Sequence, residues 1–78
     1  MSAQLVQKIV ELLVAEPEAV SVEEEHDRDG LTYHVRVAPN DVGKVIGKNG
    51  RVIQAVRFVV SAVAAKNRER AYVKVVTD

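Results

Sequence analysis

The sequence predicts one α+β domain in which a small β-sheet is covered on one side by three helices. Three observations predict it. Apolar residues recur at three- and four-residue spacing near the N-terminus and again over residues 51–66, the mark of amphipathic helices. Between and after these segments lie short stretches that alternate apolar and polar residues, as half-buried strands do. The chain has 78 residues, so it is expected to be a single domain over residues 1–78: at this length only about 60 to 65% of the unfolded surface is buried, enough for one core.

The elements follow in order. Ser2 is placed to cap a first helix, in which Leu5, Val6, Ile9, Val10, Leu13 and Val14 share one face and which must end near Pro17. Val20 and Val22 open a strand that runs into Glu23, Glu24 and Glu25. After Asp29-Gly30, Leu31, Tyr33, Val35 and Val37 alternate with Thr32, His34 and Arg36, which predicts a hairpin. An Asp-Gly pair favours a tight turn whose two central residues have positive φ, and Pro39 closes the second strand. Asn40 or Asp41 can cap a short helix through Ile46, Gly47 can end it, and Gly50 releases the chain into a helix over about residues 51–66. Residues 71–76 return to a strand with Val73 and Val75 on one face.

Composition excludes several kinds of function. The chain is 47% hydrophobic and 28% charged, as globular domains are. It has no cysteine, hence no disulfide, thiolate metal site or cysteine nucleophile, which fits a reducing compartment and a cytoplasmic address. No segment reads as a membrane span, and the first helix carries Lys8 and Glu11 among its apolar residues. The zero net charge hides an asymmetry: residues 1–40 hold three Lys/Arg against eight Asp/Glu, and residues 41–78 hold eight against three. A basic half of this kind can mark a nucleic-acid surface. No nucleophile stands with a base and no carboxylate pair is spaced for acid–base chemistry, so no catalytic residue, cofactor or small-molecule substrate is expected.

The run V-I-G-K-N-G-R-V-I-Q-A-V over residues 45–56 joins an apolar pair, Val45 and Ile46, to a Gly47-x-x-Gly50 turn and then to Ile53 and Val56. Without Cβ atoms, Gly47 and Gly50 let a sugar-phosphate backbone approach, and amides at the following helix start favour an anion. Lys48 puts a cation at the tip, Asn49 tolerates left-handed geometry, and Lys44 and Arg51 flank the loop. This run resembles the signature of the KH domain, and the order helix, strand, strand, helix, helix, strand is similar to the type II, prokaryotic arrangement. The resemblance covers nearly the whole chain and extends to the stand-alone bacterial KH proteins.

That resemblance implies cytoplasmic binding of single-stranded RNA, with the loop clamping about four nucleotides. The bases would lie over a groove floored by Val45, Ile46 and Ile53. Base edges would be read from the strand around Tyr33 to Val37, with His34 and Arg36 as candidates. The resemblance further implies an RNA-chaperone or regulatory role, self-association or pairing with a larger KhpB-like KH protein (also called Jag or EloR), and a link to cell-wall homeostasis and cell length. An aromatic content of 4%, from Tyr33, Phe58 and Tyr72, leaves little stacking surface, so the expected affinity is salt-sensitive and on the order of micromolar.

Other readings of the same residues are weaker. A nucleotide-triphosphate loop needs glycine where Val42 stands and Ser or Thr where Asn49 stands. His26 and His34 straddle a turn without a convincing third metal ligand. Glu23 to Glu25 read as a charged strand that discourages edge pairing rather than a docking site. On the long helix, Val52, Ile53, Val56, Val59, Val60, Val63 and Ala64 fill a core-facing arc. Ala55, Phe58, Ala62 and Ala65 form a second apolar stripe, read as a helix-to-helix dimer contact, and Gln54, Arg57 and Ser61 form a polar stripe between the two. The rival to RNA binding is a protein-interaction scaffold whose partner carries the RNA contact.

Overall fold

A computed structural model describes residues 3–77. The elements are α1 (Ala3–Glu11), β1 (Ser21–Asp27), β2 (Gly30–Arg36), α2 (Val42–Ile46), α3 (Arg51–Lys66) and β3 (Ala71–Val75), with single 3₁₀ turns at Pro17–Ala19, Pro39–Asp41 and Lys48–Gly50. The fold is the expected type II arrangement. Strand β2 lies in the centre, antiparallel to β1 and parallel to β3. A parallel neighbour requires a long crossover, and here α2 and α3 supply it.

Alternation on β2 decides which side is covered. Leu31, Tyr33 and Val35 are buried against Val6 and Val10 of α1, Val45 of α2 and Ile53, Val56, Val60 and Ala64 of α3, with Ala71 and Val73 of β3 completing the core. The residues between them face away from the helices. Among the described residues no helix is long and apolar enough to cross a membrane.

Two local expectations are corrected. Helix α1 stops at Glu11, well before Pro17; Leu12 and Leu13 form a tightened turn through the Leu13 amide on the Val10 carbonyl at 2.9 Å. The expected cap at Ser2 lies outside the described residues. The hairpin turn centres on Arg28 and Asp29 rather than on Asp29-Gly30, and neither has positive φ. The Asp27 carboxylate accepts the amides of Asp29 (2.8 Å) and Gly30 (3.2 Å) and shapes the turn instead. Gly30 opens β2 at φ 138°, where a Cβ would lie 2.3 Å from the Arg70 carbonyl oxygen.

Asp41 fixes the chain that follows α1. It sits at the start of α2, but its carboxylate makes no cap there. It reaches instead to the amides of Ala15 (3.1 Å) and Glu16 (3.0 Å), with the Lys44 ammonium at 3.4 Å, and so ties the loop after α1 to the helix before the glycine turn. The Ala15 amide above all, with Glu16 and Lys44, holds the buried Asp41 carboxyl below the usual carboxylate range against the opposing effect of burial.

The folded-state value is therefore the lower one. The stability Asp41 contributes is full above the unfolded value near ~3.9 and is lost as pH falls through the folded value. Asp41→Asn is expected to lower the denaturant midpoint at neutral pH. It should also remove the part of the acid loss that falls below about pH 4, measured by urea unfolding at stepped pH.

Candidate nucleic-acid interface

The turn between α2 and α3 is held in a conformation that ordinary residues avoid. Gly47 has φ 78° and ψ 172°, Asn49 φ 57° and Gly50 φ 74°. Asparagine is among the non-glycine residues that best tolerate this region, so the sequence G-K-N-G suits its backbone position by position. The turn is closed by the Gly47 amide on the Gly43 carbonyl (2.8 Å) and the Gly50 amide on the Gly47 carbonyl (3.1 Å).

The two glycines are required for different reasons. A Cβ on Gly47 would stand 2.4 Å from Val52 Cγ2 and 2.9 Å from the Val52 amide nitrogen. Gly47 is thus packed onto the first turn of α3. A Cβ on Gly50 would meet nothing within 4 Å, so there the surface is left open.

Helix α3 begins at this opening with no side chain capping its N-terminus; the Arg51 amide donates to the Lys48 carbonyl, and the positive end of the helix faces the opening, which favours an anion there. Lys48 and Asn49 are exposed at the tip and Arg51 beside them; neither the Lys48 nor the Arg51 side chain makes an ion pair or hydrogen bond among the described residues. Lys44, one turn earlier, is shared with Asp41. The loop residues expected from sequence therefore come together.

The expected groove floor does not form. Val45 is fully buried and Ile53 is 5% exposed, so both support the turn from inside the core, and only Ile46 stays half-buried near the surface. The base-reading strand is corrected too. Tyr33, Val35 and Val37 point into the core, where burial pushes the Tyr33 hydroxyl pKa up, with Glu24 and Glu69 adding to it. His34 lies on the far face of the sheet with Nε2 3.1 Å from Glu25 Oε1, and Arg36 is exposed next to it. The two histidines occupy opposite sheet faces, each beside its own glutamate.

The strand that meets α3 at an open edge is β3. There the Arg57 Nε donates to the Val73 carbonyl (3.1 Å) and the Ser61 hydroxyl to the Ala71 carbonyl (3.4 Å). Arg57, Ser61, Ala71, Tyr72 and Val73 line a cleft between helix and strand. On the outer side of α3, Ala55, Phe58, Ala62 and Ala65 are all exposed, Phe58 by 76%. Val59, expected in the core, joins them at 46% exposure, because the helix turns only Ile53, Val56, Val60 and Ala64 fully inward.

A sequence profile described as KhpA/KhpB, KH domain, matches residues 3–75. The chain belongs to this KH-domain family. It is 44% identical over 73 residues to the RNA-binding protein KhpA of Caldanaerobacter subterraneus, covering 94% of this chain and 97% of that protein. It is 41% identical to the KhpA of Oceanobacillus iheyensis over 91% of this chain and 95% of the relative. The KhpA of Halalkalibacterium halodurans is 46% identical over 85% and 87%. The fold also superposes on part of Era from Aquifex aeolicus, solved bound to GDP and AlF4⁻, with a TM-score of 0.67 over 97% of this chain and 31% of Era. At 20% identity that likeness is one of fold alone.

Within the KhpA/KhpB frame two residues stand out that sequence reading passed over. Gly43 lies inside α2, is exposed, has ordinary helical φ, and a Cβ there would touch nothing within 4 Å. Neither backbone nor packing asks for glycine, although glycine costs about 1 kcal/mol in a helix. Its signal was present as a glycine in a short helical stretch. In the sequence Arg57 is only one member of a polar stripe, and only the pairing of β3 beside α3 reveals its hold on the strand edge.

Proposed function

We propose that this chain is a non-enzymatic, cytoplasmic RNA-binding module that grips the backbone of single-stranded RNA at Gly47, Lys48, Asn49 and Gly50. The observation that carries the reading is the open, cationic turn in front of a helix without a side-chain cap: Gly50 has free space where a side chain would stand, and the Lys48 and Arg51 side chains beside it make no ion pair among the described residues. Kinship with RNA-binding KhpA proteins supports it. Lys44 and Ile46 border the same opening, while Val45 and Ile53 hold it from beneath. Bare Gly43 extends the approach along α2, and bases leaving the turn lie against the cleft of Arg57 and Ser61. The test is fluorescence anisotropy of a labelled, unstructured RNA titrated at two salt concentrations. Binding that weakens as salt rises and depends on Lys48 and Asn49 supports the reading, and salt-independent binding, or none, overturns it.

Two copies of the chain pair through Ala55, Phe58, Ala62 and Ala65 in the same proposal. Small residues around a single aromatic anchor make a self-complementary helix face, as a two-fold interface requires, and pairing would place two clamps on one RNA. Phe58→Asp is expected to give a monomer by light scattering while its RNA tetranucleotide affinity stays within about twofold; a dimer that persists removes this surface from the interface. A larger KhpB-like protein could occupy the same face in place of the second copy. Family resemblance alone extends the proposal to RNA-chaperone or regulatory activity with an effect on cell wall and cell length. A scaffold reading, with RNA held by the partner, is disfavoured by the basic tip of the turn.

A further inference from the structure

We propose that the face of β3 turned away from the helices is a second RNA contact, in which Tyr72 stacks on a base and Arg70 and Lys74 take phosphates on either side. This rests on the reading of the chain as an RNA binder. Ala71 and Val73 are buried, so by strand alternation Tyr72 and Lys74 fall on the opposite, uncovered face; Arg70 immediately precedes the strand, and all three are exposed. Tyr33 is sealed in the core and Phe58 sits on the outer side of α3, which leaves Tyr72, 47% exposed, as the accessible ring flanked by cations. Among the described residues, Arg70 and Lys74 side chains make no ion pair or hydrogen bond. Residues two apart on a strand are separated by about 6.6 Å, comparable to the phosphate step of an extended single strand, so the cation–ring–cation order can follow consecutive nucleotides.

The stripe is continuous with the site already described. Tyr72 also lines the cleft of Arg57 and Ser61, so a strand lying in that cleft meets its ring on rounding the β3 edge. The carboxylates on the same open face, Glu23 and Glu25, belong to β1, two strands away, and Glu25 is paired with His34. Two inter-strand spacings amount to about 10 Å, near the Debye length at about 0.1 M salt, so their repulsion confines RNA to the β3 side without cancelling it there. Cations on an edge strand often serve to prevent edge pairing. On β3 that task is already met by Ser61 and Arg57, which occupy the outward carbonyls of Ala71 and Val73, and it would not call for a tyrosine at the centre of the stripe.

The experiment compares a labelled tetranucleotide with an unstructured twelve-nucleotide RNA by anisotropy, for wild type, Tyr72→Ala, the pair Arg70→Gln and Lys74→Gln, and the loop pair Lys48→Asp and Asn49→Asp. All of these side chains are exposed, and circular dichroism checks that each variant is folded. Tyr72→Ala is expected to weaken the longer RNA at least about fivefold and the tetranucleotide by less. The Gln pair should lower the salt slope for the longer RNA by about 0.7 per lost contact. Tyrosine emission provides a direct second readout, because the chain has two tyrosines and no tryptophan and Tyr33 is enclosed: wild-type emission should fall on adding the longer RNA. Unchanged affinity for the longer RNA in both stripe variants, or equal loss on both lengths, overturns the second contact while loop-dependent binding stands. Binding that survives the loop pair but falls in the stripe variants retains this contact and removes the clamp, and a wild type that binds neither RNA removes both.

Discussion

Replacing Lys48 and Asn49 together with aspartate is expected to weaken RNA binding by at least about a hundredfold while the fold persists. A loss of that size corresponds to about 2.7 kcal/mol, near what one charge-assisted hydrogen bond contributes, and the two new carboxylates add repulsion of phosphate. Both side chains are exposed and that of Lys48 makes no ion pair or hydrogen bond among the described residues, so the melting temperature should change little. Aspartate, like asparagine, is tolerated at the positive φ of residue 49. The check is anisotropy against salt concentration: the slope for the variant should be shallower by about 0.7 for the phosphate contact removed. An affinity within threefold of wild type would take the function away from this turn.

Substitution of the three glycines around the turn by alanine is expected to separate stability from binding. Gly47→Ala should be the most damaging. Its φ and ψ lie in a region reserved almost wholly for glycine, a strain of about 1 to 3 kcal/mol, and the new methyl meets Val52 at 2.4 Å. A total near 3 kcal/mol would lower Tm by roughly 12 to 24 °C in a domain of this size. Gly50→Ala carries the left-handed strain alone, about 1 to 2 kcal/mol, because its surroundings are open. Gly43→Ala has the opposite sign: it gains up to about 1 kcal/mol of helix propensity, raises Tm, and still weakens RNA by filling the approach. Thermal melts with parallel RNA titrations check the series, and a Gly43→Ala protein that is more stable with undiminished affinity would show that the bare helix face is not used.

The turn, the long helix and the order of elements were legible because each rests on local chemistry. Gly47 and Gly50 at the required spacing, Asn49 between them and the apolar period of α3 all act within a few residues. What was not legible depends on which surface a neighbour covers. Val45 and Ile53 are apolar whether they floor a groove or fill a core, and only the sheet beneath α2 and α3 decides for the core. Alternation put Tyr33 and Val35 on one face of β2 but could not say that β3, not β2, would hold the open edge beside α3. Asp41 was read as a local cap, whereas its carboxylate serves amides 25 and 26 residues away. Arg57 lay in a polar stripe whose partner strand the sequence does not name.

The parallel pairing of β2 with β3 also sets an order in time. The β1–β2 hairpin needs closure of only a two-residue turn and can form within about 1 to 10 μs. By contrast, Leu31 cannot find the Arg70 carbonyl, nor Val76 the Val35 carbonyl, until roughly forty intervening residues have been gathered in. The cleft beside α3 is a product of that late docking, so the turn can be shaped early while the strand wall opposite it exists only once the whole domain has closed. A ligand that bridges the two would therefore act as a clasp on the last and most reversible step of assembly, slowing local opening at β3 far from where its phosphates are held.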